Sequence, residues 1–176
     1  VEYIIAKKDS LMELKINETL LKFNLATEND LVDVFLLSND PVVRRASFTP
    51  QQIDFSSHVE WFVKKTSDKN VAFLIVREIE NNFVGYVRFE KESGSLDKVF
   101  VVSVHLTKDF RGRGLGAKII FEATKLILQQ HRGAKVYALV KKDNIASYKS
   151  FLKAGYLLEK ECVEKKFDCL ILKCEE

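Results

Sequence analysis

Runs of apolar residues follow two periods along this chain, and together they predict a mixed α/β domain. Leu20–Ala26 reads as a strand, and Thr27 with Asp30 forms an N-cap pattern for a helix to about Leu37. Asn39-Asp40-Pro41 breaks that helix, and Pro41–Ala46 predicts a short second turn. Ser56 or Ser57 caps another helix, through His58, Trp61, Phe62 and Lys65. Val71–Glu78 and Phe83–Glu90, joined at Asn81-Asn82, predict a hairpin. Ser93-Gly94-Ser95 then turns the chain into Val99–Leu106, β-branched and apolar enough for a buried strand. Ile119, Ile120, Ala123, Leu126 and Ile127 recur at a helical period, and Gly133 ends that helix. Lys135–Val140 predicts a strand and Asn144–Ala154 a helix stopped at Gly155; Leu157–Val163 and Phe167–Lys173 predict the last strands. There is no internal repeat, linker or low-complexity segment.

Residues 1–19 precede the first of these elements and include the apolar Tyr3-Ile4-Ile5. They are expected to form an N-terminal extension, either an extra strand on the domain edge or the trailing end of an upstream domain. The chain opens on Val rather than Met, so a start residue is missing or this is a piece of a longer protein. Its length of 176 residues suits one domain, 20–176, with a real core.

Composition narrows the class further. Apolar residues at 47% and charged residues at 30% are ordinary for a soluble globular domain. The net charge of +3 is small and scattered, which gives no reason to expect a nucleic-acid partner. No apolar run is long enough to span a membrane, and the N-terminus lacks a signal-peptide pattern. Cys162, Cys169 and Cys174 all fall in the last strands, with no histidine nearby to complete a metal site. Their odd number suits a reducing compartment, so they read as buried small hydrophobes in a cytoplasmic protein.

Chemistry concentrates in Arg111-Gly112-Arg113-Gly114-Leu115-Gly116, which holds three of the seven glycines between a strand and a helix. Glycines at such a junction let the backbone turn tightly and aim several N–H groups at one spot, while the helix dipole adds positive potential. The expected ligand is an anion, most simply phosphate, over which arginines can close. A Walker loop needs Gly-Lys-Ser/Thr, which is absent. Gly112, Gly114 and Ala117 formally satisfy a dinucleotide fingerprint, but too little βα structure follows for a doubly wound domain.

The third option, a coenzyme A pyrophosphate loop, is carried by a resemblance. Arg111-x-x-Gly114-x-Gly116 resembles the Q/R-x-x-G-x-G/A signature of the GCN5-related N-acetyltransferases, the GNAT superfamily. The stretch Asn144 to Tyr156 is similar to the motif after that superfamily's fifth strand, and Phe23 to Asp30 looks like its first strand and helix start. The likeness spans roughly Leu20 to Cys174. It implies a GNAT fold: a mostly antiparallel twisted sheet of six to seven strands, splayed between the fourth and fifth and flanked by helices. It also implies acetyl-CoA as cosubstrate and direct transfer of acetyl to a primary amine in a ternary complex.

The resemblance assigns residues as well. Backbone groups of Val104 and Leu106 would hold the pantetheine arm; Arg111, Gly112, Arg113, Gly114, Gly116 and Ala117 would hold the pyrophosphate. Asn144 and Tyr148 are four apart, one helical turn; Asn144 suits a contact to the coenzyme arm. Tyr148 would protonate the departing thiolate, or is simply a core aromatic. His105 would act as general base, or is a packed histidine; Glu90 and a water held by Ser103 compete for that role. Arg44, Arg45, His58 and Trp61 would line the acceptor pocket, with an arginine on a phosphate and Trp61 on a base or sugar face. Trp61 and Phe62 read equally as anchors of their helix.

The wording of residues 39–48 and 58–62 resembles a branch of the superfamily that acetylates nucleotide-linked amino sugars, as in nonulosonic acid pathways. A small-molecule amine acceptor is therefore expected, in a monomer or homodimer without nucleic acid or membrane. Two alternatives stay open: an acetyltransferase acting on protein N-termini, and a non-catalytic CoA-binding domain.

Overall fold

The computed structural model describes residues 12–16, 19–92 and 98–175. Among them the strands are β1 (Met12–Ile16), β2 (Thr19–Leu25), β3 (Val71–Glu78), β4 (Phe83–Lys91), β5 (Val99–Leu106), β6 (Lys135–Lys141), β7 (Leu157–Glu164) and β8 (Phe167–Glu175). The helices are α1 (Leu31–Ser38), α2 (Pro41–Ala46) and α3 (Phe55–Ser67) between β2 and β3, then α4 (Leu115–Gln130) and α5 (Ile145–Lys153) on either side of β6. The eight strands form one sheet in the order β1-β2-β3-β4-β5-β6-β8-β7, and only the β5–β6 pair is parallel. This is the expected mixed architecture with one strand more than anticipated.

The additional strand is β1, which pairs antiparallel with β2 from Met12↔Phe23 to Ile16↔Thr19. Its signal was the alternation of Met12, Leu14 and Ile16 with Glu13 and Lys15. Tyr3-Ile4-Ile5 and the turn at Ser93-Gly94-Ser95 lie outside the described residues. The cap of α3 also differs from expectation. Asp54, not Ser56 or Ser57, holds that position, its carboxylate accepting from Ser57 N–H at 3.0 Å. Of the three cysteines only Cys169 is buried; Cys162 and Cys174 are half-buried.

Strand alternation sends side chains to two cores. Leu74, Val87, Phe89, Phe100 and Val102 pack with Ile119, Ile120, Ala123 and Ile127 of α4. Phe73, Ile75 and Tyr86 pack with Val34 and Leu37 of α1, Val43 of α2 and Phe62 of α3. Each fully buried large side chain contributes about 1.5–3 kcal/mol, so both helical layers are held to the sheet by their apolar stripes.

The two layers leave one gap. The β5–β6 pairing covers only Val99↔Lys135, Phe100↔Val136 and Val101↔Tyr137. Beyond it β5 stays with β4 as far as Leu106↔Gly85, while β6 stays with β8 as far as Lys141↔Cys169. The strands therefore part after Val101 and Tyr137, and residues 102–106 form one wall of a notch. No helix of the described residues is long and apolar enough to cross a membrane.

Candidate active site

The backbone of β5 faces the notch with alternate residues. Thr107 N–H donates to Val84 C=O at 2.9 Å, so the facing pair Thr107/Val84 is hydrogen-bonded. Antiparallel pairs alternate between bonded and non-bonded, which makes His105/Tyr86 and Ser103/Arg88 bonded pairs as well. The N–H and C=O of Val102, Val104 and Leu106 consequently point away from β4, into the gap. Arg111 takes one of these groups: its Nε donates to Leu106 C=O at 2.7 Å.

At the end of that wall the chain turns into α4 through two left-handed residues, Gly112 (φ 73°) and Gly114 (φ 75°). A Cβ on either would meet nothing within 4 Å, so space is not the constraint. The constraint is the backbone conformation, which costs an L residue about 1–2 kcal/mol. Gly114 is the N-cap of α4 and has no side chain to cap it. The first N–H groups of the helix thus keep their hydrogens for a ligand, at the positive end of the dipole.

One cleft of about 1060 Å³ joins these features. It is lined by Val104, Leu106, Arg111, Gly112, Gly114, Gly116, Ala117 and Asn144 on the notch side, and by Arg44, His58, Trp61 and His105 on the other. Asn144 caps α5 with its side-chain carbonyl, which accepts from Ser147 N–H at 3.2 Å.

Three expected residues are not brought into the cleft. Tyr148 does not line it; its half-buried ring packs on the main core. Tyr148 stands one turn from the cap Asn144, its N–H donating to Asn144 C=O at 3.1 Å, yet its ring packs on the core while Asn144 lines the cleft. The α5 residues that line the cleft include Ser147, Ser150 and Phe151, none of them an aromatic hydroxyl. Arg45 is exposed and contributes only its carbonyl, which accepts from Lys141 Nζ at 2.9 Å. Arg113 is also exposed, its guanidinium over the Phe110 ring at 5.7 Å.

His105 stands where β4 and β5 register Tyr86 against it, the rings 4.7 Å apart. Its Nδ1 is buried without a hydrogen-bond partner among the described residues. Burial, then the charges of Arg88, Arg44 and Arg111, push its pKa down to about 3. The imidazole is therefore neutral and weakly basic. Tyr86 is buried with its hydroxyl 3.3 Å from Ser38 Oγ, and burial raises its pKa.

The competing base is committed elsewhere. Glu90 accepts from Arg88 Nε at 2.8 Å and pairs with Lys65 Nζ. Burial raises its pKa, but Arg88 and Lys65 more than offset this and hold it below the ordinary carboxylate range. Glu90 does not line the cleft, whereas Ser103 does. Arg88, paired with it, lies over the Trp61 ring at 4.9 Å. Trp61 therefore both lines the cleft and anchors α3 against Phe73.

His58 is buried among Phe35, Trp61 and Phe62, its Nε2 without a hydrogen-bond partner among the described residues. Burial lowers its pKa, a hydrogen bond with the Leu31 backbone opposes this, and the charge of Arg44 adds to the lowering. Arg44 Nη1 donates to Thr49 C=O at 3.0 Å and to Gln51 C=O at 3.3 Å, which ties the segment after α2 to that helix.

Sequence reasoning missed Tyr86, Arg88, Ser38, Asp40 and Lys141. Tyr86 and Arg88 are two apart on a strand and so share a face, the one signal that was available. Asp40 and Lys141 fasten α2 across the notch. Asp40 Oδ1 caps α2 by accepting from Val42 N–H at 2.8 Å and Val43 N–H at 3.2 Å, and lies 3.1 Å from Arg111 Nη2. Burial raises the Asp40 pKa, but the Val43 and Arg111 hydrogen bonds outweigh it and leave it low. The far end of α2 is held by Lys141, the last residue of β6, whose Nζ lies 3.6 Å from the Phe167 ring centroid. Asp40→Ala is expected to cost about 1–2 kcal/mol through the lost cap. That is a drop of several degrees in Tm by thermal unfolding, at about 2–4 °C per kcal/mol.

A family model described as an acetyltransferase (GNAT) domain matches residues 21–157. No curated protein matches the chain. Solved structures share the fold at low identity. Spermidine N-acetyltransferase from Vibrio cholerae, in complex with CoA and spermine, has a TM-score of 0.78 at 18% identity, covering 88% of this chain and 94% of that one. An uncharacterised protein from Bacillus halodurans has a TM-score of 0.82 at 14% identity, covering 97% and 92%. An aminoglycoside acetyltransferase in complex with coenzyme A has a TM-score of 0.74 at 15% identity, covering 88% and 94%.

Proposed function

The chain belongs to the GNAT acetyltransferase family, and on that premise we propose that it moves acetyl from acetyl-CoA to a primary amine by direct transfer in a ternary complex. One observation carries the reading: the open edge of β5 and the glycine turn opening α4 meet in a single cleft. The α4 N–H groups suit a pyrophosphate. Val104 N–H and C=O and Leu106 N–H suit the amides of a pantetheine arm, and the Leu106 carbonyl is already taken by Arg111. Acetyl-CoA held there would supply an activated thioester.

The chemistry asked of the protein is then limited. The acceptor nitrogen forms the C–N bond as the C–S bond breaks, sulfur keeps the electron pair, and a proton passes from nitrogen to the thiolate. Val104 and Leu106 offer fixed N–H donors on the edge where negative charge would grow on the acyl oxygen. Asn144 holds the start of α5 against the same cleft and is read as a coenzyme contact.

For the acceptor we favour a nucleotide-linked amino sugar. The supporting observation is charge. Among the described residues lining the cleft are Arg44, Arg88, Arg111, Lys141, Lys149, Lys153 and Lys165, and no Asp or Glu. Phosphate would meet Arg44 on α2, while Trp61 would act by holding Arg88. A protein N-terminus or a polyamine enters with its own positive charge and finds no carboxylate to receive it.

The test is CoA thiol release from acetyl-CoA with three acceptors offered separately: a nucleoside-diphosphate amino sugar, a peptide with a free N-terminus, and spermine. Turnover is expected with the first, and kcat/KM for spermine about 100-fold lower, a difference of about 2.7 kcal/mol. Preference for the peptide or for spermine would remove the acceptor assignment. Acetyl-CoA binding without transfer to any amine would leave a non-catalytic CoA-binding domain.

A further inference from the structure

An amine must lose its ammonium proton before it can attack a thioester, and among the described residues this cleft offers no carboxylate base. No Asp or Glu is among its described lining residues. Glu90 is bound between Arg88 and Lys65, and Asp40 between the α2 N-terminus and Arg111. What the cleft does offer is a half-buried imidazole, His105, on a wall shared with several cations. Tyr86 of β4 is registered against His105, Arg88 lies two residues along the same strand opposite Ser103, and Arg44 of α2 and Arg111 of the turn before α4 line the same cleft. The Nδ1 of His105 is buried without a hydrogen-bond partner among the described residues, and the residue lines the cleft.

Resting on the acetyltransferase reading, we propose that His105 is an orienting residue, accepting a hydrogen bond from an already neutral amine through Nδ1, and that no side chain of the cleft serves as general base. The net positive charge beside the imidazole does the discharging: Arg44 donates to backbone carbonyls, Arg88 with Lys65 outweighs Glu90, and Asp40 offsets Arg111. That positive potential opposes an ammonium ion just where it opposes an imidazolium. The first proton of the ammonium leaves to bulk solvent as the acceptor enters. The nitrogen lone pair then forms the C–N bond, the C–S electron pair goes to sulfur, and the second proton ends on the thiolate. The charge on His105 never changes, consistent with the direction in which burial and its three arginines move its pKa.

A pH–rate study separates this from general-base catalysis, because kcat/KM reports the free reactants and kcat the bound complex. The probes are the amine acetylated in the acceptor screen and two analogues whose amines are made less basic by neighbouring fluorine. The acid limb of kcat/KM should move one for one with the solution pKa of each amine, while kcat stays flat from about pH 6 to 9. His105→Leu should lower kcat/KM about 100-fold without moving the limb, and His105→Asn, which restores an acceptor near Nδ1, should recover most of it.

A limb fixed at one pH for all three amines would overturn the proposal: lost in His105→Leu, it makes His105 the base; kept in His105→Leu, it assigns the base to another group such as His58, which also lines the cleft. Should His105→Leu fail to fold, the one-for-one movement in the unaltered protein decides alone. If the unaltered protein transfers acetyl to no amine, the underlying reaction fails first, and that result is distinct from a misplaced limb.

Discussion

Gly116→Asp is expected to abolish useful coenzyme binding while leaving the protein as stable as before, or slightly more so. Gly116 is the second residue of α4 and lines the cleft. A Cβ there would meet Leu106 Cδ1 at 3.5 Å and Ser150 Oγ at 3.6 Å, both ordinary contacts, so the fold accommodates the side chain. A carboxylate in the first turn interacts favourably with the helix dipole, by about 0.3–1 kcal/mol. Replacing a helical glycine adds a similar gain. The same carboxylate lies where the proposed pyrophosphate must sit. At about 5 Å and an effective dielectric of about 20, one pair of negative charges repels by about 3 kcal/mol.

The expected readings follow directly. Calorimetry should give a Kd for CoA raised about 100-fold or more, and thermal unfolding of the free protein should show an unchanged or higher Tm. A variant that binds CoA with its original affinity would show that the anion cradle is not the coenzyme site. A variant that loses both stability and binding would mean that Gly116 is needed by the fold. Gly116→Ala is the control, since it adds the Cβ without the charge.

The loop could be read from the sequence because its signal is local. Glycine spacing, a strand before and a helical period after are all contiguous, and they landed on Gly112, Gly114 and the start of α4. The strands from β2 to β8 were legible for the same reason, through apolar runs punctuated by turns. The acceptor end was not, because its residues are neighbours only through register. Tyr86 meets His105 and Arg88 meets Ser103 across the β4–β5 pair, and no spacing in the chain announces which residues will oppose each other. Asp40 was readable as a helix breaker beside Pro41, yet its ion pair with Arg111 joins residues that are distant in the chain. Tyr148 could be read two ways from the sequence, as a proton donor or as a core aromatic, because the spacing places it a turn from Asn144 but does not say which way its ring packs; in the structure it lies against the core.

Gly85→Ala is expected to destabilise the protein severely and to damage the site from beneath. Gly85 opposes Leu106 at the end of the β4–β5 pair, next to the irregular register at Val76/Arg77 of β3. With φ at 156°, the missing Cβ of Gly85 would point at the β5 backbone. An alanine Cβ there would lie 2.1 Å from the His105 carbonyl oxygen and 3.0 Å from Leu106 Cα. Both neighbours are backbone, so no rotamer change relieves the clash; the strands must separate. Overpacking in a core costs about 1–3 kcal/mol when side chains can adjust, and sometimes more. A backbone collision belongs at or above the top of that range. With about 5–15 kcal/mol of total stability typical of a domain, the Tm should fall by roughly 10 °C. The residues displaced are His105 and Leu106, the orienting imidazole and one of the proposed coenzyme donors. At temperatures where Gly85→Ala is still folded, its kcat should therefore drop well beyond the loss of folded protein. Far-ultraviolet circular dichroism of the same samples supplies the folded fraction. A variant with native Tm and native kcat would mean that β4 and β5 are not held this closely, and the positioning of His105 by register would have to be abandoned.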